Sequence, residues 1–107
     1  MKTHQAIDRR SLSLATAIVA KIDADRDRTG LRRARETCAR WMQTNPGPAV
    51  VEWQRILTMR WEDIRAVLLR EDQEGQRLRQ NSPFCGVLTP QERWELYRKF
   101  DRESKAA

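Results

Sequence analysis

The residues best suited to acid–base chemistry are two pairs of adjacent carboxylates, Glu62-Asp63 and Glu71-Asp72. A carboxyl group acts as a general acid or base near neutral pH when burial or a neighbouring like charge raises its pKa. Neither pair has a histidine or a metal ligand at a useful spacing. Such residues are more typical of solvated surfaces or of helix starts, where acidic side chains favour the helix dipole. We therefore predict no catalytic residue among them.

Signatures of other catalytic and cofactor sites are missing from the sequence. The one histidine, His4, lies near the N-terminus, and the two cysteines, Cys38 and Cys85, form no CxxC pair. This favours free thiols over a zinc site. The glycines match no phosphate-binding loop. The sequence thus predicts a protein that is not an enzyme and that uses no cofactor and no metal.

Positive charge is concentrated in the first half of the chain. The net charge is +6, with 12 Lys and Arg against 6 Asp and Glu in residues 1–60, and 9 of each in residues 61–107. Arginines at helical spacing could contact successive phosphates or an acidic protein surface, although a solvated helix face has the same pattern. The candidate residues for binding nucleic acid or an acidic surface are Arg28, Arg32, Arg33, Arg35 and Arg40.

The apolar pattern places these arginines on the second of several helices. Asp8 or Ser11 is the expected N-cap of the first helix. Its apolar repeat is set by Leu14 or Ala15, Ile18, Val19 and Ile22. The second helix lies within TGLRRARETCARWMQ (29–43), with one apolar side formed by Leu31, Ala34, Cys38, Trp41 and Met42. Both patterns have the i, i+3, i+4, i+7 period of amphipathic helices.

The segment TNPGP (44–48) ends the second helix, since no helix interior tolerates its two prolines and glycine. Pro48 suits the first turn of a third helix. The helical repeats around Trp53 and Trp61 predict either one bent helix or two short ones. Beyond them, Gly75 weakens a polar segment whose only apolar anchor is Leu78.

The last helix has the clearest start. Thr89, Pro90 and Glu92 form a capping box with proline at the first helical position. No strand-like alternation of useful length occurs, so the fold class is all-α. We predict a single domain over residues 1–107, a small bundle of four or five helices with frayed ends at 1–8 and 102–107.

A proline-bracketed apolar loop precedes this last helix, between Pro83 and Pro90. Its apolar side chains need cover, which either the protein's own helices or a partner could supply. Aromatic residues together with arginine are typical of interface centres. The predicted partner surface consists of Phe84, Val87, Leu88, Arg93, Trp94, Tyr97, Arg98 and Phe100.

No apolar run approaches the roughly 20 residues that a membrane-spanning helix needs. The charged N-terminal residues MKTHQAIDRR (1–10) also differ from a secretory signal. We therefore expect a cytoplasmic protein that does not bind membranes.

Two stretches of the sequence resemble a known group of proteins. They are RRSLSLATAIVAKIDAD (9–25) and GQRLRQNSPFCGVLTPQERWELYRKF (75–100). The group consists of small bacterial proteins of unassigned biochemistry from two-gene modules that resemble toxin–antitoxin pairs, some beside a nucleotidyltransferase regarded as the toxin. The resemblance implies an antitoxin-like role, in which a small helical protein binds and blocks a larger enzyme. It carries no site residues across, and residues 26–60 fall outside it.

The leading functional prediction is therefore a non-enzymatic, antitoxin-like protein that binds and neutralises a partner toxin. The alternative is a regulatory protein that binds DNA or RNA through its arginine-rich second helix. Both functions can coexist on separate surfaces, and the sequence is also compatible with self-association.

Overall fold

Helices account for most of the chain in the computed structural model. It describes residues 4–106, with side chains described for residues 8–103. The helices are α1 (His4–Ala24), α2 (Thr29–Thr44), α3 (Pro48–Ile56), α4 (Trp61–Leu68), α5 (Gln73–Gln80) and α6 (Pro90–Ala106). No strand occurs in residues 4–106, and the predicted all-α class is confirmed.

The described residues contain six helices rather than the four or five predicted. The stretch from Pro48 to Leu68 forms two short helices, because the chain turns tightly after Ile56, with the N–H of Met59 donating to the Ile56 carbonyl at 3.0 Å. The polar segment around Gly75 also forms a helix. Its N-cap is Asp72, whose side chain accepts a hydrogen bond of 2.9 Å from the Gly75 N–H.

Gly75 is needed for the close approach of α5 to the end of α4. A Cβ at this position would overlap the backbone carbonyl and the Cβ of Arg70. Glycine destabilises a helix by about 1 kcal/mol relative to alanine. Here the close packing of α5 against the end of α4 offsets that cost. Leu78, the expected apolar anchor, is buried.

The core forms around α1, which packs against α2, α4, α5 and α6. The rings of Trp53 and Phe84 meet edge to face, with centroids 5.8 Å apart, and the ring centroid of Trp61 lies 6.4 Å from that of Phe84. Both buried indoles have hydrogen-bond acceptors. Trp53 donates to the Leu78 carbonyl at 2.9 Å and Trp61 donates to the Asp23 carboxylate at 2.7 Å. This is the usual requirement for burying an indole N–H.

The predicted frayed ends at 1–8 and 102–107 lie partly outside the described residues. Within the described residues, α1 begins at His4 and α6 continues to Ala106, while 1–3 and 107 lie outside that range. The early start of α1 also means that neither Asp8 nor Ser11 is its N-cap. Both residues instead accept hydrogen bonds from Arg79.

Candidate interaction surfaces

The apolar loop between α5 and α6 is covered by the protein's own helices. Phe84 has 0% of its surface exposed, and Val87 and Leu88 have 6% and 5%. These three residues of the predicted partner surface are therefore buried in the folded chain rather than exposed. Two of the helices packed beside α1, namely α4 and α5, have only 8 residues each, and Phe84 and Val87 of the loop complete the core.

The capping box at the start of α6 is confirmed and is joined to α1. The Glu92 N–H donates to Thr89 Oγ1 at 3.1 Å, and the Thr89 N–H donates to Glu92 Oε1 at 2.8 Å. Lys21 of α1 donates to the same Glu92 oxygen at 2.7 Å and to the Val87 carbonyl at 2.9 Å. The hydrogen bond from Lys21, followed by that from the Thr89 N–H, lowers the pKa of Glu92 to about 2.

The aromatic residues of α6 divide between two environments. Tyr97 and Phe100 are half-buried, whereas Trp94 is 62% exposed. Side chains three residues apart point in directions that differ by about 60° around a helix. Trp94 and Tyr97 therefore cannot both face the same neighbouring helix directly. The Tyr97 ring lies under the guanidinium of Arg10 in α1, 3.9 Å from the ring centroid. This cation–π contact joins the middle of α6 to α1.

A largely apolar groove of about 320 Å³ lies between α1 and α6. Leu14 and Ile18 line it from α1, Leu88 from the loop, and Arg93 and Tyr97 from α6. Of the predicted partner residues, Arg93, Trp94, Tyr97, Arg98 and Phe100 lie on α6, and Arg93 and Tyr97 line this groove together with the loop residues Phe84 and Leu88.

The arginines of α2 form two groups rather than one surface. Arg28, Arg32 and Arg35 follow an i, i+4, i+7 spacing and line a concavity of about 380 Å³ together with Arg60. Arg33 and Arg40 line a separate concavity of about 290 Å³ against the loop. Sequence analysis missed Arg60, because it belongs to the turn between α3 and α4 and reaches the start of α2 only through tertiary packing.

The arginines of the two halves of the chain also differ in their ion pairing. Those after residue 61 include several with carboxylate partners, namely Arg65 with Asp23, Arg70 with Asp72, Arg77 with Glu52 and Glu74, and Arg79 with Asp8. None of the five arginines predicted to bind nucleic acid or an acidic surface forms an ion pair with a described residue. The excess positive charge of the first half is therefore not neutralised within the described fold.

Arg79 is the principal buried polar residue that sequence analysis missed. Its side chain is only 3% exposed. The guanidinium donates to Asp8 Oδ1 at 2.8 Å, to Ser11 Oγ at 3.0 Å, to the Leu68 carbonyl at 3.1 Å and to the Arg70 carbonyl. No local pattern could indicate this role, since Asp8 and Ser11 lie 71 and 68 positions away.

The carboxylate pairs lie where helices begin. Glu62 and Asp63 occupy the first turn of α4 and are exposed. Asp72 caps α5, and hydrogen bonds from Arg70 and from the Gly75 N–H lower its pKa. These positions match the interpretation of the pairs as helix-start residues.

The two cysteines are free thiols in different environments. Cys38 is buried in the core, and burial raises its pKa, whereas Cys85 is exposed. Among the residues whose side chains are described, no three His, Cys, Asp or Glu side chains lie together as a metal site requires. Across the described helices, none has the length and apolar character to cross a membrane.

Comparisons of the chain with family models, with curated proteins and with solved structures found no match.

Proposed function

We propose that this protein is a non-enzymatic, antitoxin-like binding protein that neutralises a partner enzyme by docking on it through α6 and the adjoining groove. The observation that carries the proposal is the exposure of Trp94. It is 62% exposed, whereas Trp53 and Trp61 are 0% and 3% exposed. Trp94 also lies on the helix whose Arg93 and Tyr97 line the apolar groove. Tryptophan is enriched among the residues that contribute most to binding at protein interfaces.

The docking surface combines apolar and cationic groups. Arg93, Trp94 and Arg98 lie along α6, and Leu14 and Ile18 supply apolar surface from α1. Such a composition matches interface centres, which are rich in aromatic residues and arginine. The arginines complement an acidic rim around the partner's active site and speed the encounter between the two proteins.

The resemblance to antitoxin-like proteins supports the proposed role, although it assigns no site residues. Its two stretches, residues 9–25 and 75–100, contain most of α1 and the chain from α5 into α6. These segments supply nearly all of the groove lining. The arginine concavity on α2 lies outside the resemblance.

The proposal is tested by affinity purification of the tagged full-length chain from its native host. We expect a stoichiometric enzyme to be captured, and we expect the purified chain to inhibit that enzyme's activity. Trp94→Ala should lose capture and inhibition, because it removes the central exposed anchor. Val51→Ala is the matched control, since Val51 is 42% exposed on α3 and lines neither the groove nor the concavity formed by Arg28, Arg32, Arg35 and Arg60.

Both side chains are largely exposed, so both variants should unfold at the temperature of the parent chain in a circular dichroism melt. Three results would contradict the proposal. They are the capture of no stoichiometric protein, a captured enzyme whose activity the chain leaves unchanged, and equal capture by the parent chain and Trp94→Ala.

A further inference from the structure

We infer that the concavity formed by Arg28, Arg32, Arg35 and Arg60 is a phosphate-binding site through which the protein binds the sugar–phosphate backbone of nucleic acid. The site shares no lining residue with the groove between α1 and α6. The inference therefore does not depend on the neutralisation of a partner enzyme and adds a second binding function on another part of the molecule.

The spacing of the arginines suits a linear array of charges. Arg32 and Arg35 lie on α2, about 4.5 Å apart along its axis at 1.5 Å per residue. Arg28 is the N-cap residue of α2 and lines the same concavity. Duplex DNA carries about one negative charge per 1.7 Å of its axis. These three guanidinium groups can therefore contact more than one phosphate at once, and Arg60 adds a fourth from the neighbouring turn.

The site carries a strong excess of positive charge. Asp27 is the only acidic residue in its lining. Arg60 Nε lies 3.7 Å from Asp63 Oδ2, and the two side chains are 80% and 53% exposed. Such an exposed pair is worth little and competes weakly with a ligand. Phosphate binding would release condensed counterions from the nucleic acid, which supplies most of the affinity of contacts of this kind.

Arg35 is pre-oriented for a ligand. Its Nε donates a hydrogen bond of 3.0 Å to the Leu57 carbonyl at the end of α3. A guanidinium group has five N–H donors, so this contact leaves the terminal nitrogens free to bind phosphate oxygens. Fixing one nitrogen in this way reduces the conformational entropy lost on binding.

The backbone of Arg28 supplies an independent observation. Its φ and ψ are both 49°, in the left-handed region, and its side chain forms no capping hydrogen bond to α2. Glycine or asparagine adopts this conformation more readily than arginine does. Backbone strain of this kind is concentrated at functional sites. The position thus holds an arginine where local backbone preference favours glycine.

Nucleic acid fits these observations better than an acidic protein does. A phosphate backbone presents a continuous line of negative charge, which matches arginines repeated along one helix. Arginine also binds phosphate through paired, planar hydrogen bonds. Contacts to phosphate groups carry no sequence information. Binding should accordingly be independent of sequence and strongly dependent on salt.

The experiment measures binding of the full-length chain to a labelled, mixed-sequence DNA duplex by fluorescence anisotropy over a series of salt concentrations. The site variant is Arg32→Gln with Arg60→Gln. The matched control is Lys99→Gln with Arg102→Gln, which removes the same charge from exposed residues of α6. We expect the site variant to reduce the slope of log affinity against log salt by about 2, because each arginine that no longer binds a phosphate lowers the slope by about 1. The control should retain the parent slope.

Three results would overturn the inference. They are the absence of binding at low salt, an equal reduction of the slope by the site variant and the control, and equal affinity for labelled polyglutamate of matched charge. The last result would assign the concavity to an acidic protein surface. Circular dichroism melts verify folding, and the single variants Arg32→Gln and Arg60→Gln, each expected to reduce the slope by about 1, keep the test decisive if the double variant is unstable.

Discussion

The guanidinium of Arg79 in α5 donates a hydrogen bond of 2.8 Å to the carboxylate of Asp8 in α1, 71 positions earlier in the chain. The same side chain also bonds to Ser11 and to the carbonyls of Leu68 and Arg70. It therefore joins α1 and α5 to the end of α4. Arg79 and Ser11 also line the groove between α1 and α6, so this network positions one end of the proposed docking surface.

Replacing Arg79 with alanine should lower the free energy of unfolding by about 3 kcal/mol or more, because it leaves buried or half-buried acceptors without a donor. Arg79→Lys should also be destabilised. The guanidinium group of arginine is planar and extended and donates in several directions, whereas the compact ammonium group of lysine cannot reach all of these acceptors. Urea denaturation measures both effects. Arg77→Gln on the same helix is the control, because its ion pairs are partly exposed. A loss as large for Arg77→Gln as for Arg79→Ala would contradict this role of the buried network.

Gly75→Ala should destabilise the protein although alanine is the better helix former. The new methyl group would overlap the Arg70 backbone, and relief of this overlap requires α5 to move away from α4. We expect a loss of about 1–3 kcal/mol, as is usual for overpacking. Gly86→Ala is the matched control, since a Cβ there has no atom within 4 Å and Gly86 has no positive φ. A melting temperature of Gly75→Ala equal to or higher than that of Gly86→Ala would contradict the predicted overlap with Arg70.

Arg28→Gly should raise the free energy of unfolding by up to about 1 kcal/mol, because glycine relieves the left-handed strain while its greater freedom in the unfolded chain offsets part of the gain. Arg28→Ala removes the same charge but retains a Cβ in the left-handed region, so it should not be stabilised. Chemical denaturation of the two variants isolates the backbone effect. An Arg28→Gly variant no more stable than Arg28→Ala would show that the left-handed backbone at this position is not strained.

Glu92 should contribute to stability in a pH-dependent manner. Its pKa in the folded protein is about 2, below the ordinary value of 4.5. The contribution is therefore complete above about pH 4.5 and is lost as the pH falls towards about 2. The difference in melting temperature between the parent chain and Glu92→Gln should be greatest above this range and should disappear at its acidic end. A difference that stays constant between these pH values would contradict the assigned linkage between Lys21, Glu92 and the capping box.

Local signals predicted the parts of the fold that depend on neighbouring residues. Thr89, Pro90 and Glu92 mark the start of α6 because a capping box forms within one helical turn. The apolar positions Leu31, Ala34 and Cys38 indicate the buried face of α2 because the helical period alone brings them together. Pro48 likewise marks the first turn of α3.

The candidate sites were harder to predict. Phe84 looks the same in the sequence whether a partner or the protein's own core covers it, and only the packing of Trp53 and Trp61 against it assigns it to the core. No sequence pattern indicated that Arg60 lines the same concavity as Arg28, Arg32 and Arg35. The prediction that Trp94 and Tyr97 share one partner surface did not anticipate that Trp94 would remain exposed while Tyr97 lay under Arg10.

The sequence by itself determined the all-α class, the start of the last helix and the concentration of positive charge in the first half, because these follow from residue order and from interactions within a turn or two. The tertiary structure alone decided that the apolar loop fills the core, that Arg79 joins α1 to α5, and that the arginines divide between two concavities. Those outcomes depend on contacts between residues far apart in the chain. A helical period fixes which residues share a face, but it does not fix which other element that face meets.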